Sequence, residues 1–406
     1  MQNNKSLILL TNNYPANYGD TSFINSEANT LSEIYESVYI IRFANNSNYA
    51  DVPMPKNFHL FELGLSGKSD ILIKGIFNPT SLIRTFKLLT QELKYLTKPT
   101  HLKNLIFATL CGRYFSSKIN KLTKNSRHYD IYSFWGMGSG YSLPWIINRN
   151  FRKIWVRLHG GDLYLERQHG YIPYRKALFS VSDAIIPISQ QGEHYLKNTY
   201  PLDDIQSKLF TNYLGSIDYG PPPSFDAKPT EYVIVSCSSV IPLKRVELIF
   251  QSINLASQSR KIIWHHFGDG CNMPKLKNLI QHATSESKLK IMLHGQVNHE
   301  KVIEFYQKNH VDLFINLSET EGIPVSIMEA ISFNIPVIAT NVGGVSEIVN
   351  QKFGTGLLVD ADSSELMVCE QIFELQKLTN LHPRYYWLEY FNKNANLMKL
   401  IKYLEI

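Results

Sequence analysis

The chain has 406 residues, a length that favours two domains of about 200 residues each. Its 44% hydrophobic and 19% charged residues exclude a disordered or fibrous chain and leave ample core-forming material. The formal charge of +6 is uneven, because nine Lys or Arg and a single acid, Glu92, lie between Arg84 and Lys124. The four cysteines form no CxxC pair, which predicts reduced thiols and neither a disulfide nor a metal framework.

In chain order, the apolar run Leu7 to Leu10 is too short for a signal peptide or a membrane span, so a cytoplasmic protein, soluble or peripheral, is expected. Compact apolar runs predict strands at 6–11, 37–42, 130–135, 153–159, 184–189 and 208–213. "DYGPPPSFDAKPT" (218–230) breaks the pattern and reads as a linker. Strands then resume at 232–236, 261–267, 290–294, 311–317, 336–340 and 356–359, with helices at 244–257, 273–284, 299–308 and 364–378 between them. A long aromatic-rich amphipathic helix closes the chain. This alternation predicts an α/β protein with two doubly wound parallel sheets. The domains expected are 1–217, 218–385, and a closing helix 386–406 that crosses back to the first.

"SETEGIPVSIMEAISFNIPVIATNVGG" (318–344) is the most informative stretch. Ligands of open α/β sheets lie beyond the carboxyl ends of the strands. Here a strand ends, Glu321 and Gly322 form the turn, and a helix is expected to start near Pro324, which suits a first helical turn. Its free N–H groups and dipole make an anion site, and Gly322 allows close approach. Glu329 follows within the helix. Lys244 and Arg245 open another helix, where cations are unfavourable by about 0.3–1 kcal/mol each unless an anion binds. "FGDGC" (267–271) and "LHGQV" (293–297) add glycine turns after strands.

These residues resemble retaining GT-B glycosyltransferases of the family 4 type, whose Glu-x7-Glu signature is matched by Glu321, Gly322, Pro324, Glu329 and Ala330. "VRLHGGDLYLER", "SVIPLKRVELIF", "FGDG" and "HGQV" extend the similarity over the chain except about 43–125. The resemblance implies two Rossmann-like domains facing across a cleft, 1–217 binding the acceptor and 218–385 the nucleotide sugar, and transfer of a sugar, with retention, from a nucleoside diphosphate sugar. UDP-sugar is favoured and GDP-sugar is the alternative. The acceptor implied is a hydroxyl of a lipid-linked oligosaccharide or related glycan in surface polysaccharide assembly.

It further implies that Glu329 binds the ribose, Glu321 the donor sugar, and Lys244 the departing diphosphate. Backbone of Gly322, Ile323, Pro324 and Val325 would assist, and that of Gln296 and Val297 would hold the base near Gly268. His159 would face the sugar from the first domain, with Arg157 and Asp162 nearby. Gly19 stands for the family's glycine pair. Ser238 and Ser239 occupy the region where many members have an Arg, which Arg245 is expected to replace. No metal or other cofactor is expected, nucleic acid is not, and 84–124 is a candidate contact for an anionic membrane. The competing readings are a catalytically silent partner subunit, a glycan-binding module, or an epimerase or phosphorylase on the same architecture.

Overall fold

The computed structural model describes residues 5–44, 50–61, 68–76, 82–125, 129–146, 151–221, 224, 230–283 and 288–405. Two six-stranded parallel sheets carry it. The first comprises β1 (Ser6–Thr11), β2 (Ser37–Arg42), β3 (Phe58–Leu60), β4 (Tyr129–Ser133), β5 (Phe151–Leu158) and β6 (Ala184–Pro187) in the order β3-β2-β1-β4-β5-β6. The second comprises β7 (Tyr232–Cys237), β8 (Ile262–Phe267), β9 (Leu289–Leu293), β10 (Leu313–Asn316), β11 (Val337–Thr340) and β12 (Gly356–Val359) in the order β12-β11-β10-β7-β8-β9. Numbered within its own sheet, each follows the doubly wound order 3-2-1-4-5-6, which reverses between β1 and β4 and between β7 and β10.

The physical basis is plain in the strands. "SLILLT" is buried at all six positions and "YVIVSC" at its first five, as two-sided burial by crossover helices requires. The edge strand β9 alternates between half-buried and exposed positions. One hydrophobic core lies in the first unit, around Ile8, Phe115, Val156 and Ile185. In the second, clusters about Val235, Phe314 and Ile327 and about Trp264, Ile249 and Ile372 are built on residues of alternating parity along β7 and β10.

The chain divides into Met1–Asn212 with Leu397–Ile406, and Tyr213–Asn396. The division falls before the expected residue 217, because Tyr213 already packs on Phe391 and donates its hydroxyl to Glu347 at 2.7 Å. The expected linker lies largely outside the described residues.

Two further expectations are corrected. Residues 208–213 make no strand. The Phe210 and Asn212 amides donate to the Ile185 and Pro187 carbonyls, but only one bridge forms, Ile185 with Leu209. Pro187 has no N–H to return a bond, so the ladder stops. The closing helix is two helices, Pro383–Tyr390 and Lys393–Leu404. Ser216 takes the peptide groups at the break, its N–H donating to Phe391 and its carbonyl accepting from Lys393, while Trp387 Nε1 donates to its hydroxyl at 2.8 Å. The stretch 43–125, where the resemblance lapses, supplies β3 and the helices Lys68–Ile76, Leu82–Glu92 and Pro99–Leu122.

Candidate active site

In the second unit, the loops after β7 and β10 flank the point where strand order reverses. The Glu319 amide donates to the Leu243 carbonyl at 2.8 Å, tying the two loops together. Lys244 ends the short 3-10 turn Pro242–Lys244 and brings Nζ to 2.6 Å from Glu321 Oε1. The same oxygen accepts from Ser318 Oγ at 2.6 Å and Asn316 Nδ2 at 3.4 Å. Glu321 is thus a nearly buried carboxylate held by three donors, with its side chain 11% exposed.

Pro324 caps the helix Val325–Ser332 instead of occupying its first turn, so the helix starts one residue later than expected. Ile323 is buried and Val325 packs on the same core, leaving their backbone as the part available to a ligand. First-turn amides of a helix have no acceptor within it. Beneath them Gly344 N–H donates to the Gly322 carbonyl at 2.8 Å. Gly343, at φ +55, passes so close to the Glu321 carbonyl that a Cβ would lie 2.0 Å from it. Gly322 itself has an ordinary φ, and a Cβ there would meet nothing within 4 Å. Gly322→Ala is therefore expected to leave the stability within about 0.5 kcal/mol of wild type while weakening donor binding. Calorimetric titration with a nucleoside diphosphate checks this, and unchanged affinity would remove Gly322 from the site.

Glu329, 8% exposed, lies inside that helix and accepts from His299 Nε2 at 2.6 Å. This hydrogen bond is the chief reason that the His299 pKa is raised. His299 was not read from the sequence: it opens the helix His299–Lys308, thirty residues before its partner, and no spacing rule links the two. Between them in function stands the β8–β9 edge. Gly268, at φ +140, donates to the Gly295 carbonyl at 2.9 Å, and a Cβ would lie 1.9 Å from the Ser238 carbonyl, so only glycine fits. Gln296 is exposed and Val297 is half-buried against the core. His294 stacks on Phe267 at 4.2 Å, presenting a flat aromatic edge beside them.

Arg245 departs from expectation. It caps the helix Val246–Ser257 in the left-handed region at φ 47, and its guanidinium donates to the carbonyls of Leu317 and Ala361 at 2.6 and 2.5 Å. Two of its nitrogens thus brace main chain, while the third, Nη2, is buried without a hydrogen-bond partner.

In the first unit, His159 follows β5 and is 6% exposed, its ring 4.2 Å from that of Trp135 and 4.8 Å from that of Phe134. Neither ring nitrogen has a hydrogen-bond partner. Burial, then the neighbouring Arg157, holds its pKa well below the usual value, so the imidazole is neutral. Asp162 accepts from the His159 amide at 2.7 Å and the Gly136 amide at 2.5 Å, fixing the two loops, and burial pushes its pKa up to about 6. Arg157 is turned into the core, where it pairs with Glu27 at 2.6 Å. Gly19, at φ +67, shapes the loop after β1, and the buried Asp20 carboxylate closes that loop by accepting from the amides of Asn12, Asn13 and Tyr14 at 2.8 to 2.9 Å.

Residues 222–380 match the family model "Glycosyl transferases group 1". The Escherichia coli O-antigen biosynthesis glycosyltransferase WbnH is 30% identical over 144 residues, 36% of this chain and 38% of that protein, so the match spans well under half of either. Two solved structures are alike over almost the whole length. The apo form of the lipopolysaccharide outer core galactosyltransferase WaaB has a TM-score of 0.63 at 14% identity, covering 97% of this chain and 98% of that one. Anabaena HepE in complex with UDP has a TM-score of 0.62 at 14% identity, covering 99% of both. At such identity a structural likeness speaks for fold alone. Together with the doubly wound order of both sheets, these matches show that the chain carries, over residues 222–380, a domain of the group 1 glycosyltransferases on a GT-B fold.

Proposed function

We propose that the protein is a retaining glycosyltransferase that moves a sugar from a nucleoside diphosphate sugar to a hydroxyl of a lipid-linked oligosaccharide in surface polysaccharide assembly. The observation that carries this reading is the Lys244–Glu321 contact at the reversal point of the second sheet, beside the open space at Gly322. A diphosphate against the first-turn amides of Val325–Ser332 takes Lys244 as its cation, and Glu321 is then released to the sugar hydroxyls. Glu329, oriented by His299, accepts from the ribose. The leaving phosphate oxygen takes the acceptor proton on the same face of the sugar. Lys244 and the helix terminus supply the charge neutralisation, so the reaction needs no metal. UDP is favoured as the nucleotide, in keeping with the UDP complex of HepE.

The test is a thermal-shift titration with UDP, GDP and ADP followed by donor turnover. A nucleotide at about 100 times its dissociation constant stabilises the fold by about 2.7 kcal/mol, and Glu329→Ala is expected to abolish the response to UDP. No response to any nucleotide in the wild type sinks the enzyme reading and favours a silent or glycan-binding module.

We also propose that the protein is cytoplasmic and attaches peripherally to the inner leaflet. Among the described residues no helix is long and apolar enough to cross a membrane. The helix Leu82–Glu92, however, exposes Leu82, Ile83 and Phe86 at 69, 85 and 70%, while Thr85 and Leu88 face inward. Exposed Lys87, Lys94 and Lys98 follow, and the one acid of the stretch, Glu92, is buried against Tyr171 OH at 2.7 Å. The outward surface is thus apolar and cationic, the chemistry of an interfacial helix, with each cation near anionic lipid adding about 1 kcal/mol. Replacing Ile83 and Phe86 by serine is expected to lower flotation with phosphatidylglycerol vesicles about tenfold or more, at about 1.5–3 kcal/mol per buried side chain. Flotation indifferent to anionic lipid and salt removes the proposal.

A further inference from the structure

In the second unit a carboxylate stands close to where the diphosphate of a donor would dock. Glu329 is the fifth residue of the helix Val325–Ser332, which puts it about 6 Å along the axis from the first-turn amides, at about 1.5 Å per residue. A dianion on those amides would lie well within one Debye length of it, about 8–10 Å. Lys244 answers the diphosphate itself and is already shared with Glu321. The group placed to answer Glu329 is His299, whose Nε2 lies 2.6 Å from Oε1. Among the described residues no donor reaches Oε2, which is left for the ligand.

We propose that His299 is a positioning residue that works as an imidazolium, its charge neutralising Glu329, so that donor binding is linked to pH. The proposal rests on the donor reading and adds the regulation of that site. Its first support is the place of the ring. His299 opens the helix His299–Lys308 directly after Asn298, and a cation there meets the positive end of the helix dipole. The contact with Glu329 outweighs that disadvantage. The hydrogen bond is the chief reason the His299 pKa is raised, with burial opposing it and the charges of Glu329 and Glu300 adding to it.

The neighbours behave differently. Burial holds His265 and His266, on β8, down to about 4 and keeps His294, after β9, below the ordinary value. Burial also pushes the Cys237 thiol of β7 up to about 12 and raises the hydroxyls of Tyr219 and Tyr306, which face Glu329 from the connection before β7 and from the helix of His299. Of these groups His299 alone gains or loses charge near neutrality. The sign follows. A dianionic ligand favours the protonated ring, so affinity is greatest below the His299 pKa and falls as pH rises through it. Because that pKa is raised, the fall lies above the ordinary histidine value of about 6.5.

The test is calorimetric titration of the full chain with UDP-glucose and with GDP-mannose from about pH 5.5 to about pH 8.5. A nucleotide sugar, unlike UDP, has no phosphate that titrates in this range. Affinity is expected to fall about three- to tenfold across it, the scale of a half-exposed charge felt partly through solvent. Binding at the middle of the range is expected to take up a fraction of a proton, seen as a dependence of the heat on the buffer. His299→Gln keeps a donor for Glu329 and loses the charge, so it is expected to show at every pH the weaker affinity of the wild type at the alkaline end. His299→Lys supplies a cation throughout and is expected to bind tightly at both ends. A flat wild-type profile, or a slope that His299→Gln retains, overturns the proposal and spares the donor reading. Equal weakening at every pH by both variants also overturns it, since a purely structural histidine would give that result. If neither nucleotide sugar binds the wild type at any pH, the donor reading falls and this proposal with it.

Discussion

Replacing Lys244 with alanine is expected to lower donor turnover by about 10²–10³-fold, the usual effect of deleting one preorganised group aimed at developing charge. The side chain is 22% exposed and its partner Glu321 is 11% exposed, so the pair sits where water screens little. In the free protein the carboxylate occupies the ammonium, and an incoming diphosphate must displace it. Two consequences separate this role from a structural one. Lys244→Ala lowers kcat and kcat/KM together, because the charge it answers grows as the diphosphate leaves. Glu321→Gln binds UDP at least as tightly as wild type, since the competitor for Lys244 is gone, yet turns over slowly. Steady-state kinetics with a UDP titration on the three proteins decides it. A Lys244→Ala enzyme with unaltered kcat and raised KM would reduce Lys244 to a binding group, and one with wild-type kinetics would end the assignment.

Much of the fold was legible because its strands are buried on both faces and therefore stand out as apolar runs. All strands of the second sheet fall within two residues of the runs read from sequence. The misses have physical causes. β3 has three residues, too few to form a pattern. The run 208–213 is as apolar as a strand, but Pro187 on its neighbour breaks the ladder. The closing helix is broken by Ser216, remote in sequence and invisible to periodicity. At the site, Glu321 and Lys244 could be read because loops after neighbouring strands must meet. The main-chain bonds of Arg245 could not, since an arginine carries no sign that it will take a positive φ. His299 was missed because its partner, Glu329, is one that only the folded chain defines.

Arg157→Ala is expected to cost the first unit about 3–5 kcal/mol, the range for breaking a buried ion pair from one side, and to lower its melting midpoint by roughly 2–4 °C per kcal/mol. The guanidinium is 1% exposed and pairs with Glu27 at 2.6 Å and Asn212 Oδ1 at 3.1 Å, between the rings of Tyr132 and Phe134. Alanine would leave Glu27, 2% exposed, with Tyr132 OH at 3.2 Å as a side-chain donor and a cavity beside it. Arg157→Met combined with Glu27→Leu removes both charges and keeps volume, so it should recover most of the loss. Arg157 stands two residues before His159 and reads from sequence as a candidate for the same site, but its burial confines it to support. Phe134 touches both side chains, so the support reaches the histidine through packing. The double variant, assayed well below its midpoint, should keep turnover within a few-fold of wild type. A normal midpoint with lost turnover in Arg157→Ala would instead put that guanidinium among the groups that act on substrate.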